Sequence, residues 1–189
     1  MQRHACATPF RLNWTLRGHC GERARPLLLL FMKIACVCGS LQEESSNLRL
    51  LRDILRCAPT NEEIHIEDTI RYLPLFNPDI SEEAQPATVK DWRSSLAISD
   101  GLIIACPEYG HSLPGALKNA IDWVIGTGEF YKKPVAITAS TKHPARGLLG
   151  LSALAQTLLA VDADITYTST IVRDSNYEKN LRALLASFH

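Results

Sequence analysis

Apolar and polar positions follow two rhythms along this chain. Met32-Lys33-Ile34-Ala35-Cys36-Val37 and Leu102-Ile103-Ile104-Ala105-Cys106 are short, largely apolar and bounded by turn residues, which suits strands buried on both faces. Lys133-Pro134-Val135-Ala136-Ile137-Thr138-Ala139 and the run from Ile165 to Val172 read as two further strands. Glu63-Ile64-His65-Ile66-Glu67-Asp68 alternates instead, which predicts a half-exposed strand with His65 solvated. Between these runs the apolar residues recur at helical spacing. Leu48, Leu51, Ile54, Leu55 and Ala58 make the first such stripe, entered through Ser46 or Asn47 as N-cap and ended by Pro59 and Asn61. Val89, Trp92 and Leu96 lie in a second helix from Pro86 to Ile98, and Leu117, Ala120, Ile121 and Val124 in a third. Leu148, Leu151, Leu154, Ala155 and Leu158 make a fourth, and Leu181, Leu184, Leu185 and Phe188 a closing one. Leu73 to Asp79 is broken by two prolines and reads as irregular.

Five strands alternating with five helices, without repeats or low-complexity tracts, predict one three-layer α/β domain. Right-handed crossovers make its sheet parallel. A chain of 189 residues with 46% hydrophobic content supports one sizeable core. Its formal net charge of zero argues against a general nucleic-acid binder, and no apolar run reaches the length of a membrane span. The charge is uneven: residues 1–31 hold five arginines and one glutamate, so the remainder is acidic by four. That Arg-rich start is shared with organelle presequences, yet its run Pro26 to Met32 is short for a signal-peptide core. Because Met32 directly opens the first strand, we expect residues 1–31 to be a disordered extension and residues 32–189 the folded domain. The six cysteines (Cys6, Cys20, Cys36, Cys38, Cys57 and Cys106) form no C-x-x-C pair, which argues against a zinc site or a redox dithiol and fits a reducing cytoplasm.

Chemistry concentrates where strands end. Cys38-Gly39-Ser40-Leu41-Gln42-Glu43-Glu44-Ser45-Ser46-Asn47 joins the first strand to its helix. Small polar residues before a helix N-terminus suit a phosphate, because the helix end offers unpaired N–H groups and a positive dipole end. No Walker pattern occurs and no G-x-G-x-x-G follows a strand, so ATP or dinucleotide binding by those devices is unsupported. A second polar loop, Ser140-Thr141-Lys142-His143-Pro144-Ala145-Arg146-Gly147, follows the fourth strand. The third, after the central strand, is Pro107-Glu108-Tyr109-Gly110-His111-Ser112-Leu113-Pro114-Gly115, running into Ala116-Leu117-Lys118-Asn119-Ala120-Ile121-Asp122-Trp123.

This last stretch resembles the signature of the NAD(P)H-dependent FMN reductase family, which includes quinone and chromate reductases of flavodoxin-like fold. The usual form there is PEYN, an aromatic or His, a small-residue turn and LKNA-x-DW; here Gly110 replaces the Asn. The first loop is similar to that family's phosphate loop, G-S-x-R-x-x-S-x-N, through Gly39, Ser40, Ser45 and Asn47, with Gln42 where Arg or Lys is common. The resemblance implies a five-stranded parallel sheet in the order 2-1-3-4-5, with FMN at the switch point between strands one and three. It implies cofactor contacts from Gly39, Ser40, Gln42, Ser45, Ser46 and Asn47, from Pro107, Glu108, Tyr109, Gly110 and His111, and from Ser140 and Thr141. His143 and Arg146 are read either as exposed loop residues or as contacts to a nicotinamide phosphate.

The function implied is transfer of two electrons from transient NADPH or NADH through bound FMN to a quinone or similar small-molecule acceptor. No catalytic acid, base or nucleophile is assigned, because the cofactor carries the electron chemistry. No metal, nucleic acid or membrane is expected as a partner, and the family implies a homodimer or homotetramer. Two other readings share parts of this pattern: a non-enzymatic FMN electron carrier, and a flavin-free α/β binding module whose site has decayed at Gln42 and Gly110. Rapid NAD(P)H oxidation separates the first from an enzyme, and a yellow purified protein excludes the second.

Overall fold

The computed structural model describes residues 32–60 and 62–189. The expected extension, with Cys6 and Cys20, lies outside the described residues. Five strands form one parallel sheet in the order β2-β1-β3-β4-β5. They are β1 (Met32–Cys38), β2 (Glu62–Glu67), β3 (Gly101–Ala105), β4 (Pro134–Thr141) and β5 (Asp164–Val172). The helices are α1 (Ser46–Cys57), α2 (Ala87–Ile98), α3 (Gly115–Asp122), α4 (Leu148–Leu159) and α5 (Tyr177–Ala186). A short 3-10 helix, Thr69–Tyr72, precedes the proline-broken segment; four residues carry too little periodicity to announce it.

Helices cover both faces of the sheet, which explains the near-continuous apolar strands. Ala35, Val37, Leu102, Ile104, Val135 and Ile137 meet α2, α3 and α4 on one face. Ile34, Cys36, Ile103, Ala105 and Ala136 meet α1 and α5 on the other. Alternate side chains thus enter opposite cores. Each fully buried Ile or Leu contributes roughly 1.5–3 kcal/mol by leaving water. β2 and β5 are the edges, and β2 is correspondingly half-exposed.

Several details differ from the sequence reading. The N-cap of α1 is Ser45, whose hydroxyl accepts from the Asn47 N–H at 3.2 Å. The buried stripe of α1 is Leu50, Leu51 and Ile54, whereas Leu48 and Leu55 are only partly buried. The helix starts at Ser46, and the sheet turns that rotation inward. Ser140 and Thr141 belong to β4, not to a loop, because β5 continues beside them and pairs Ser140 with Ile171 and Thr141 with Val172. Leu148 opens α4 but is exposed.

The LKNA-x-DW run serves the scaffold. Asn119 accepts from the Phe76 N–H at 2.8 Å and donates to the Pro74 carbonyl at 2.9 Å. The Trp123 indole N–H donates to the same carbonyl at 2.8 Å, and its ring meets Phe76 edge-on at 5.3 Å. These contacts pin the proline-broken strap against the end of α3. Its two prolines remove N–H donors, and the strap instead presents its carbonyl and one N–H to Asn119 and Trp123.

Candidate functional site

A cleft of about 1180 Å³ opens at the carboxyl ends of β1, β3 and β4. It sits where the chain reverses direction across the sheet, since β1 leads to β2 on one side and β3 leads to β4 on the other. Eleven of the residues expected from sequence line it: Ser40, Gln42, Ser45, Ser46, Asn47, Pro107, Glu108, Tyr109, His111, Ser140 and Thr141. Gly39 and Gly110 are not on its wall. Gly39 lies beneath, donating its N–H to the Ala105 carbonyl at 2.8 Å.

The three strand ends are tied together by polar side chains. The Ser40 hydroxyl lies 3.2 Å from the Tyr109 hydroxyl, linking the loops after β1 and β3. Asn47, only 4% exposed, accepts from the Ser140 N–H at 2.8 Å and so ties the first turn of α1 to β4. Glu108 links the loop after β3 to α4. One of its carboxylate oxygens accepts from the N–H groups of Leu149 (3.0 Å) and Gly150 (3.2 Å). The other lies 3.1 Å from Nδ1 of His111. A carboxylate there satisfies two orphan donors of a helix whose N-cap is the side-chain-free Gly147. Gly150 permits the approach, because a Cβ at that position would stand 3.0 Å from the Glu108 Cα and 3.3 Å from the Pro107 carbonyl oxygen.

The segment after Tyr109 is a two-residue turn. Tyr109 and Ser112 exchange both backbone hydrogen bonds at 3.0 Å, and Gly110 and His111 take φ of 56° and 63°. Two successive positive-φ residues mark a turn of the I′ kind, which favours Gly or Asn. Asn and Gly at position 110 therefore solve one backbone problem, and the departure from PEYN leaves the turn intact.

The α1 end of the cleft has the chemistry of an anion seat. The N–H of Asn47 is taken by Ser45, and the Arg49 N–H makes the first intrahelical bond, to the Ser45 carbonyl. Ser46, exposed on the cleft wall, begins the helix, where the first N–H groups have no intrahelical acceptor. The cleft also exposes apolar surface: Tyr109, Leu148 and Leu149 line it and are each about half exposed. Sequence reasoning missed the two leucines, together with Ala139, Lys142 and Ala145, in the cleft lining. The available signal was the Leu148-Leu149 pair, one apolar residue more than a helical stripe needs. No activated thiol faces the site, since burial pushes Cys106 up to about 12 and also raises Cys38. Among the described residues no cluster of His, Cys, Asp or Glu fits a metal ion, and no helix is long and apolar enough to cross a membrane.

Glu108 gives the site a pH dependence. The Gly150 N–H and then the His111 ring hold its carboxyl below the usual value of 4.5. A depressed folded-state pKa means stability present above about 4.5 and lost as pH falls through the lower folded value. Glu108→Gln should therefore lower the melting temperature at pH 7 and narrow its deficit as pH drops below 4.5 and through the lower folded value. Parallel melts at pH 7 and pH 3 measure this; an equal deficit at both would refute it.

The NADPH-dependent FMN reductase family model matches residues 32–171. A quinone reductase of Pseudomonas putida is 36% identical over 132 residues, covering 68% of this chain and 70% of the relative. An NAD(P)H-dependent FMN reductase of Pseudomonas aeruginosa is 33% identical over 133 residues, covering 69% and 71%. Among solved structures, the flavoenzyme NAD(P)H:(acceptor) oxidoreductase FerB of Paracoccus denitrificans superposes with a TM-score of 0.68 at 23% identity, over 83% of this chain and 97% of that one. The fold is the flavodoxin-like one, and the family match starts at the first residue of β1 and spans all three strand ends that build the cleft: the chain belongs to the NADPH-dependent FMN reductase family.

Proposed function

We propose that this chain is an NAD(P)H-dependent, FMN-containing oxidoreductase that passes two electrons to a quinone or a similar small acceptor. The observation that carries this is the convergence of the loops after β1, β3 and β4 on one cleft with an anion seat at α1 and apolar surface from Tyr109, Leu148 and Leu149. The residues fit FMN. Ser40, Ser45, Ser46 and the α1 N-terminus suit its phosphate, with Gln42 beside them as a neutral donor. The Pro107–His111 backbone, Tyr109, Ser140 and Thr141 suit the ring and its ribityl chain, against Leu148 and Leu149. Gly39 and Gly110 act through the backbone, one under the phosphate loop and one in the turn.

When bound, FMN supplies the two-electron chemistry between nicotinamide and acceptor. The chain's own part is to bind, orient and exclude water. The fixed turn from Tyr109 to Ser112 and the Glu108 cap hold two walls rigid, so binding meets a preformed site. The quinone reductases among the relatives favour this enzyme over an electron carrier or a flavin-free module. Residues 32–189 are the catalytic domain in this reading. The wider reading adds a homodimer or homotetramer in the cytoplasm, which light scattering and fractionation test.

Purified protein should be yellow, and the apo form should regain that colour with FMN. It should then oxidise NAD(P)H in step with reduction of 1,4-benzoquinone. Colourless protein that ignores FMN would sink the proposal.

The turn offers a sharper test. Gly110→Asn should keep FMN, because Asn tolerates positive φ. Gly110→Val should loosen it, because a β-branched residue at φ 56° carries roughly 1–3 kcal/mol of strain. A Cβ at Gly110 meets no protein atom within 4 Å, so the positive φ rather than a clash at Cβ is the constraint the chain itself sets there. Equal FMN affinity in the Val and Asn variants would remove the turn from the site.

A further inference from the structure

His111 lines the cleft from a backbone position that does not suit it. Its φ of 63° falls at the second central position of the I′ turn, where glycine fits without strain. The turn is closed by a histidine where its backbone asks for glycine. Non-glycine residues held in left-handed backbone cluster at functional sites.

The ring is also oriented. Its Nδ1 lies 3.1 Å from one Glu108 oxygen, and the N–H groups of Leu149 and Gly150 fix the other. Those N–H groups and the ring keep the Glu108 carboxyl below its usual range, so it is ionised at neutral pH. An ionised carboxylate only accepts, so Nδ1 carries the proton between them. Nε2 is left as the atom that gains and gives up a proton. Among the described residues Nε2 has no hydrogen-bond partner, and the side chain is 81% exposed, so water reaches it. A proton-transferring ring steered by a third group is a recurrent catalytic arrangement.

The loop after β3 straddles the cleft. Tyr109 reaches one way, its hydroxyl meeting Ser40 of the loop that leads into α1. His111 is tied the other way, through Glu108, to the first turn of α4. Leu149, whose N–H holds Glu108, also gives the cleft half-exposed apolar surface, with Leu148 beside it. A flat apolar acceptor on that surface has the His111 ring one carboxylate away. The other ring in the lining, His143, has no such steering: its Nδ1 faces only the Ala145 N–H, at 3.5 Å.

We infer that His111 is the catalytic acid that protonates the quinone as it is reduced, with Glu108 as its positioning residue. This rests on the reading of the cleft as an FMN reductase site with a quinone acceptor. Two-electron reduction of a quinone adds one hydride and one proton. The hydride, with its electron pair, comes from the reduced cofactor, which returns to the oxidised form. It leaves negative charge on a quinone oxygen. The proton then passes from Nε2 of the His111 imidazolium to that oxygen. The N–H bond breaks, the O–H bond forms, the hydroquinone leaves, and the neutral ring takes a proton from water. The Nδ1–H stays on Glu108 throughout.

The test uses the full chain loaded with FMN and the variants His111→Gly, Glu108→Gln and His143→Gln. Glycine fits the left-handed position, so the first change keeps the turn. In stopped flow, reoxidation of reduced His111→Gly by 1,4-benzoquinone should slow roughly 100-fold, the low end for a positioned acid. Reoxidation by ferricyanide, which takes single electrons and no proton, should match the parent. Added imidazole should restore much of the quinone rate by supplying the missing ring. FMN affinity of the apo-protein and reduction by NAD(P)H should stay parental. Glu108→Gln should show the same split between acceptors to a smaller degree. Equal slowing with both acceptors overturns the inference, because the ring would then shape the site and move no proton. A parental quinone rate, a loss that imidazole leaves untouched, loosened FMN, or a split found in His143→Gln instead also overturns it. A yellow parent matched by its His111→Gly variant sinks this inference alone; a colourless parent sinks the FMN reading beneath it as well.

Discussion

Trp92→Ala should cost about 3–5 kcal/mol of stability, the usual range for deleting a buried Trp side chain. Trp92 is 1% exposed on α2, and its indole N–H donates to the Ala120 carbonyl at 2.9 Å. That carbonyl lies in the last turn of α3, where carbonyls lack intrahelical partners. The residue therefore does two things: it fills the core between α2 and the sheet, and it closes the end of α3. Trp92→Phe separates them. It keeps most of the ring packing but leaves the Ala120 carbonyl unpaired, so a loss of about 1–3 kcal/mol is expected. Urea titration of the three proteins measures both steps. A Phe variant as stable as the parent would show that the hydrogen bond contributes nothing.

Asn47 should show the second large effect, split between fold and ligand. Its side chain is the acceptor for the Ser140 N–H, so Asn47→Ala should lower stability by about 1–3 kcal/mol even without cofactor. Asn47→Asp keeps an acceptor and places a negative charge in the first turn of α1, which favours the helix dipole. The same charge opposes a phosphate at that helix end. Like unit charges a few ångströms apart repel by roughly 1–4 kcal/mol, depending on how far water screens them. The Asp variant should thus keep the tie to Ser140 better than the Ala variant as apo-protein yet bind FMN roughly 10-fold or more weakly. Thermal melts and FMN titration of both variants distinguish the roles. An Asp variant with parental FMN affinity would move the phosphate away from α1.

The parts of this fold that sequence made legible are those where one local rule decides. Ile34 to Val37 and Leu102 to Ala105 are apolar without interruption because both faces of the sheet are covered, and no other arrangement of so short a run competes. The two loops before α1 and α3 carried enough shared residues to place the cleft between β1 and β3. What stayed hidden depends on distant partners. Ser140 and Thr141 look like loop residues until β5 runs beside them. Leu50 is core and Leu48 is not, because the sheet, not the spacing alone, selects the buried arc of α1. Asn119 and Trp123 read as part of a cofactor motif, yet their partners lie 43 to 49 residues earlier, in the Pro74–Phe76 strap. Glu108 is the sharpest case: nothing in the PEY run announces that its carboxylate reaches a helix 41 residues downstream.

That reach gives the cleft a direction. α1 and α4 both begin at its wall, and each helix start attracts negative charge. Two equal attractors would let an elongated ligand with one anionic end lie either way round, and a reversed ligand would present its wrong end to the acceptor. The Glu108 carboxylate fills the attractor at α4 with a charge the ligand cannot displace without unpairing the Leu149 and Gly150 N–H groups. Of the two helix starts, only that of α1 stays open to an incoming anion. The protein is built like a keyed socket: one of its two helix-start contacts is permanently plugged by its own chain.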